Sequence, residues 1–260
     1  ALGRDAHHRP ALAGLRRLAE RSDDSALLLA LCEREAEICD DARQFCTLAR
    51  QAASILAARG EVESALAWAV RASDRSPASR SAFELRSDLE HQLGRTEDEI
   101  LSLERLASLL DGPDRARPLQ RRAALLLELD RPTDALACLE AAHASAPDQL
   151  EGLESLIAVQ RRLGRIDDEA RALRRLCDRL STARRAEPLD RLATLLEDPI
   201  GDLESAIAAR RELVDLPNAP ADAVEGLAAL LELSGRSSEL CALLERARER
   251  IGDNAPERSE

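Results

Sequence analysis

The sequence has 260 residues and a net charge of −12, from 37 basic residues against 49 acidic ones. Every basic residue is Arg; there is no Lys, Met or Tyr, and only one Trp and two Phe. Ala and Leu carry most of the 45% apolar content, which favours helices over strands, and an acidic chain poor in aromatic platforms is a weak candidate for nucleic-acid binding.

In chain order, residues 1–10 (ALGRDAHHRP) read as a flexible leader containing His7 and His8, without the apolar core of a signal peptide. With no Met even at position 1, the chain reads as an excerpt of a longer protein. No apolar stretch approaches the ~18–20 residues of a transmembrane helix, so no membrane insertion is expected. The first helical pattern carries Leu12, Leu15 and Leu18. Cys32, Cys39 and Cys46 follow at even heptad intervals, which is not a zinc-ligand spacing. Together with Cys138, Cys177 and Cys241 they read as small buried side chains on Ala-rich faces, in a reducing, cytoplasmic setting.

Helical spacing then dominates. Ala49, Ala52, Ala53 and Leu56 precede Gly60; Ala65, Leu66, Ala69 and Ala72 follow it, and Pro77 closes the unit. The same arrangement returns around Asp130-Arg131-Pro132 and around Gly201, a period of about 70 residues. A second series interleaves with the same period, starting at Gly94, Gly164 and Gly235. In both series the last interval is one residue longer than the first. The basic unit is therefore about 34–37 residues, occurs seven times, and holds two helices joined by a short turn. This predicts an all-α superhelix, or solenoid, of about seven helix–turn–helix repeats over residues 11–251. Residues 252–260 read as a flexible tail. The closing helix offers Leu240, Leu243 and Leu244, so the array is expected to lack the polar outer face of a terminal repeat.

These units resemble the tetratricopeptide repeat. The match lies in Ala53, Ala123 and Ala193 inside first helices, in Ala65, Ala135 and Ala206 opening second helices, in Ala72 and Ala142 later in them, and in Pro77 and Pro147 at the closes. The repeats are degenerate. Leu56, Leu126, Leu196 and Leu231, with Ala69 and Leu139, stand at the family's large aromatic positions. Glu99, Glu169 and Leu240 replace the small residue in the interleaved series.

The resemblance implies a protein-interaction scaffold whose first helices line a groove for a peptide or protein. Projected onto this chain, the groove residues are Glu84, Asp88 and His91; Glu151, Glu154 and Arg161; Glu187, Asp190 and Asp198; and Asp222, Glu225 and Glu232. From residue 181 onward 17 acids face 10 Arg, so a basic partner fits best. The competing reading is solvated helix surface. A Lys/Asn carboxylate clamp of the co-chaperone type is not expected, because Lys is absent and Asn218 and Asn254 fall in turn and tail segments.

No catalytic, cofactor or metal motif is present, so the chain is not expected to be an enzyme. His143 is expected on an exposed closing turn. Asp167 and Asp168 are expected to cap a helix start. The Arg pairs, such as Arg16-Arg17, Arg121-Arg122, Arg161-Arg162 and Arg184-Arg185, are expected to form i,i+4 pairs or stay solvated. The alternative function is a sensor or regulatory repeat region of a larger signalling or transcriptional protein.

Overall fold

A computed structural model describes residues 9–22 and 24–253, and among these there are fourteen helices and no strand. They are α1 (Arg9–Ser22), α2 (Ser25–Glu37), α3 (Ala42–Ala58), α4 (Val62–Arg75), α5 (Arg80–Gln92), α6 (Thr96–Ser108) and α7 (Ala116–Glu128). The rest are α8 (Pro132–Ser145), α9 (Leu150–Arg162), α10 (Ile166–Arg179), α11 (Ala186–Leu195), α12 (Leu203–Val214), α13 (Ala223–Leu233) and α14 (Ser237–Asp253). The expected leader and tail lie largely outside the described residues, as do His7 and His8. Residues 9 and 10 open α1, and 252 and 253 close α14.

The helices pair in sequence, odd-numbered with the following even-numbered, and the chain divides into two compact units with the boundary between Pro147 and Asp148. The first unit holds α1–α8 and the second α9–α14.

One turn chemistry closes most pairs. At the end of α3 the Gly60 N–H donates to the Ala57 carbonyl at 3.0 Å and the Glu61 N–H to the Leu56 carbonyl at 2.9 Å. This double closure needs a left-handed residue at its corner, and Gly60 has φ 79°. The same two bonds recur from Gly94 and Arg95, Asp130 and Arg131, Gly164 and Arg165, and Gly235 and Arg236. Asp130 takes the glycine's place at φ 56°, a conformation that costs an L side chain energy and that Asp tolerates better than most. The pair α11–α12 departs from the pattern. One more residue separates Leu196 from Gly201 than separates Leu126 from Asp130. The extra residue widens the turn into a π-type segment over Leu196–Ile200, with Pro199 inside it and Asp198 in extended backbone.

The alanines explain how the pairs close up. Ala53, Ala123 and Ala193 in the first helices and Ala65, Ala72, Ala135, Ala142 and Ala206 in the second are all buried. A methyl at each crossing lets the backbones approach. Leu56, Leu126, Leu139 and Leu231 fill the spaces that larger aromatic rings would take, and are buried as well. In the first unit two of the three aromatics lie together. Phe45 and Trp68 lie 6.1 Å apart, with the Arg71 guanidinium 4.6 Å over Trp68 and that of Arg75 4.3 Å over Phe45. In the second unit a continuous core runs from Cys177 on α10 through Leu189, Ile207, Leu213 and Leu227 to Leu243 on α14.

Several details differ from the sequence expectations. Short 3₁₀ turns at Gly112–Arg115 and Thr182–Arg184 lead into α7 and α11, and they too follow the long period of the sequence. His143 is half-buried in the last turn of α8, because the helix runs past it to Ser145. Asp167 and Asp168 do not cap α10: both sit inside its first turn, where Asp168 pairs with Arg165 at 2.8 Å and with Arg171. They still meet the positive end of the helix dipole there. The apolar end residues are mixed: Leu12 and Leu243 are buried, whereas Leu18 and Leu244 are exposed.

Four of the cysteines, Cys32, Cys39, Cys138 and Cys177, are buried; Cys46 is half-buried and Cys241 exposed. Burial pushes the Cys32, Cys138 and Cys177 thiols up, the last to about 11. These are apolar packing groups, held as thiols at neutral pH.

Candidate functional site

Of the twelve projected groove positions, six are already engaged within the protein. In the first unit, Glu84 accepts from Arg80 Nε at 2.8 Å, Asp88 from Arg121 Nη1 at 2.7 Å, and His91 Nδ1 lies 3.1 Å from Glu99 Oε2. In the second, Glu154 accepts from Arg184 Nη2 at 3.0 Å, Arg161 donates to Glu169 Oε1 at 2.8 Å, and Asp190 pairs with Arg210. The other six, Glu151, Glu187, Asp198, Asp222, Glu225 and Glu232, are exposed and make no ion pair among the described residues. All six lie in the second unit. Asp222, Glu225 and Glu232 follow one face of α13, whereas Asp198 lies in the widened turn beyond the end of α11.

Sequence reasoning noted Glu99 and Glu169 only as departures from a small-residue position and missed that they organise each site. Glu99 and Glu169 occupy the position that is Ala135 or Ala206 in the alternate repeats, and both are buried, at 1% and 2% exposure. A carboxylate there must be paired. Glu99 Oε1 accepts from Arg121 Nε at 2.6 Å. One long period further on, Glu169 Oε1 accepts from Arg191 Nε at 3.0 Å and its Oε2 accepts from Arg191 Nη2 at 3.3 Å. The second partner is His91 in one case and Arg161 in the other, which again stand at equivalent places in the repeat. Each clasp joins a helix pair to the first helix of the next pair. Burial by itself would push the Glu169 carboxyl up, but the hydrogen bonds from Arg191 and Arg161 outweigh it and hold that carboxyl below the ordinary range.

These Arg residues act across helices. Arg80–Glu84 and Arg86–Glu90 follow the expected i,i+4 spacing, but Arg16, Arg121, Arg122, Arg161 and Arg184 reach partners on other helices.

A cavity opens beside each clasp. In the first unit it measures about 250 Å³, with Asp88, Arg117 and Arg121 over Leu103, Leu106 and Leu110. In the second it measures about 870 Å³, with Ala158, Glu187 and Arg191 over Leu173, Leu176 and Leu180, and with Arg161 added. The six residues named for the first cavity correspond one to one with the first six named for the second, each a single long period away. The second cavity also takes in Glu154, Arg184, Asp190 and Asn218. Four of the projected groove positions therefore meet in it, and its charges are mixed rather than uniformly acidic.

Among the described residues no cluster of three His, Cys, Asp or Glu could hold a metal ion, and no helix is long and apolar enough to cross a membrane.

Set against models of known protein families the sequence matches none, and no curated protein matches it. Solved structures resemble it in fold. The structure of Naa15/Naa10 bound to HypK-THB aligns over 92% of this chain with 17% identity and a TM-score of 0.57; the chain covers 37% of that one. A tetratricopeptide repeat protein from Parabacteroides merdae aligns over 92% of this chain and 93% of its own, with 15% identity and a TM-score of 0.48. YrrB, described as a TPR protein with an unusual peptide-binding site, aligns over 71% of this chain and 91% of its own, with 15% identity and a TM-score of 0.46. At these identities the likeness is one of fold.

Proposed function

The chain has a tetratricopeptide-like fold of paired helices, and on that premise we propose that it is a protein-interaction scaffold whose second unit receives a peptide or protein segment rich in basic residues. The observation that supports this most is the contrast in charge pairing. All three Arg residues of the second unit's cavity, Arg161, Arg184 and Arg191, are tied to carboxylates of the chain, whereas Glu151, Glu187, Asp198, Asp222, Glu225 and Glu232 make no ion pair among the described residues. Uncompensated carboxylates on a fixed scaffold attract a cationic partner and raise its on-rate and selectivity. The absence of a catalytic motif agrees with a binding role, and a cytoplasmic setting for this scaffold suits six cysteines that make no disulfide.

The test is capture of partners by the full chain at rising salt. Captured proteins should be basic at the contact, and retention should fall steeply above physiological ionic strength, where screening shortens to below ~8 Å. The double change Glu225→Arg with Glu232→Arg should weaken capture without unfolding the protein. Retention that ignores both salt and charge reversal would sink the proposal.

A further inference from the structure

The two equivalent cavities differ at several positions, among them Arg117 against Glu187, and one difference, Asp88 against Ala158, points to a ligand. In the first unit each of the three Arg121 guanidinium nitrogens donates a hydrogen bond. They donate to Glu99 at 2.6 Å, to Asp88 at 2.7 Å and to the Ser87 carbonyl at 3.3 Å. In the second unit Arg191 keeps its bonds to Glu169, but the place of Asp88 is taken by Ala158. Arg191 Nη1 and both terminal nitrogens of Arg161 donate no hydrogen bond among the described residues. Two guanidiniums thus share one carboxylate, where the first unit sets Glu99 and Asp88 against Arg121 and His91. Both are accessible, Arg161 at 51% and Arg191 at 38% side-chain exposure, and both border the larger cavity.

We propose that the space over Ala158 is a subsite for a carboxylate side chain, Asp or Glu, supplied by the bound partner and gripped by Arg191 and Arg161. The partner's carboxylate would take the role that Asp88 plays in the first unit. Guanidinium is weakly hydrated and offers its remaining donors in a planar fork, so a carboxylate loses little by exchanging water for it. Glu187, the carboxylate of this cavity that has no ion pair among the described residues, repels an anion and attracts a cation. The segment that fits therefore carries an acidic residue against the Arg pair close to a basic residue against Glu187. This inference rests on the scaffold reading and adds to it a position of opposite sign.

The experiment uses the full chain on an array of random short peptides, read for residue enrichment among those bound. The wild type should select Asp or Glu at one position near Arg or Lys at another. Ala158→Asp places a carboxylate of the chain where Asp88 stands in the first unit. It should lower binding of the acid-containing peptides about tenfold, the size of one charge-assisted pair, and leave the melting temperature unchanged or raised. Ala158→Asn, equal in size but uncharged, should retain the acidic preference. Selection of basic residues alone, or equal loss with Asn and Asp, overturns this inference and leaves the scaffold reading standing. Failure to bind any peptide overturns this inference, and the scaffold reading then stands or falls by the salt-dependent capture of protein partners.

Discussion

Arg191 reaches back from α11 to close both oxygens of Glu169 on α10, at 3.0 and 3.3 Å, while Arg161 from α9 meets the same carboxylate at 2.8 Å. Three helices therefore converge on one buried charge at a position where the alternate repeats have a methyl group. Removing that charge by Glu169→Gln should cost about 1–2 kcal/mol at pH 7, less than a fully buried pair because both guanidiniums meet solvent. The folded-state carboxyl is held below its ordinary range, so its contribution is present above about pH 4.3 and lost as pH falls through the lower folded value. The gap between wild type and Glu169→Gln in urea unfolding should accordingly close in acid. A gap that stays constant with pH would show that charge is not what Glu169 supplies.

Asp130 holds the left-handed corner of its turn at φ 56°, where equivalent turns have glycine. Gly164→Ala, which puts a side chain into the same left-handed corner, should lower stability by about 0.5–1 kcal/mol. Thermal melts check it, and an unchanged midpoint would contradict the account.

Ala123 and Ala193 are fully buried within their helix pairs. Ala123→Leu or Ala193→Leu should cost about 1–3 kcal/mol by overpacking. Ala158→Leu, on the cavity side of α9, should cost much less, and unfolding midpoints separate the cases.

Cys241 is exposed, whereas the Cys177 thiol is buried and pushed up to about 11. A thiol-alkylating reagent at neutral pH should modify Cys241 in the folded protein and reach Cys177 only on unfolding. Peptide mapping by mass spectrometry after short labelling gives the order directly, and early labelling of Cys177 would contradict its burial.

The repeat architecture was legible because its signals are local. Gly60, Gly94, Gly164 and Gly235 mark corners that other residues resist, and the alanines mark crossings that larger residues would block. The clasps were half legible. Glu99 and Glu169 stand out as departures from a small-residue position. Helical periodicity, however, gives the face of a side chain and not the reach of an Arg from the following helix pair. The missing clue was that Arg121 and Arg191, and likewise His91 and Arg161, repeat with the same long period as the turns. The projected groove residues suffered from the same limit: six of the twelve have intramolecular partners, and of these only the Arg80–Glu84 pair follows from i,i+4 spacing. The widened turn at Leu196–Ile200 was visible only as a single extra residue in that period.

The clasps also bear on how the chain would yield to a pulling force. A helix pair held to its neighbours by apolar packing alone peels away singly, since its contacts slide apart with little directional resistance. Arg121 and Arg191 each fasten the next first helix through hydrogen bonds to a carboxylate embedded in the preceding pair. Under tension applied at the ends, α7 should detach together with rupture of the Glu99 clasp, and α11 with that of Glu169. An extension trace should therefore show a stiffer step in each unit, at the release of α7 and of α11.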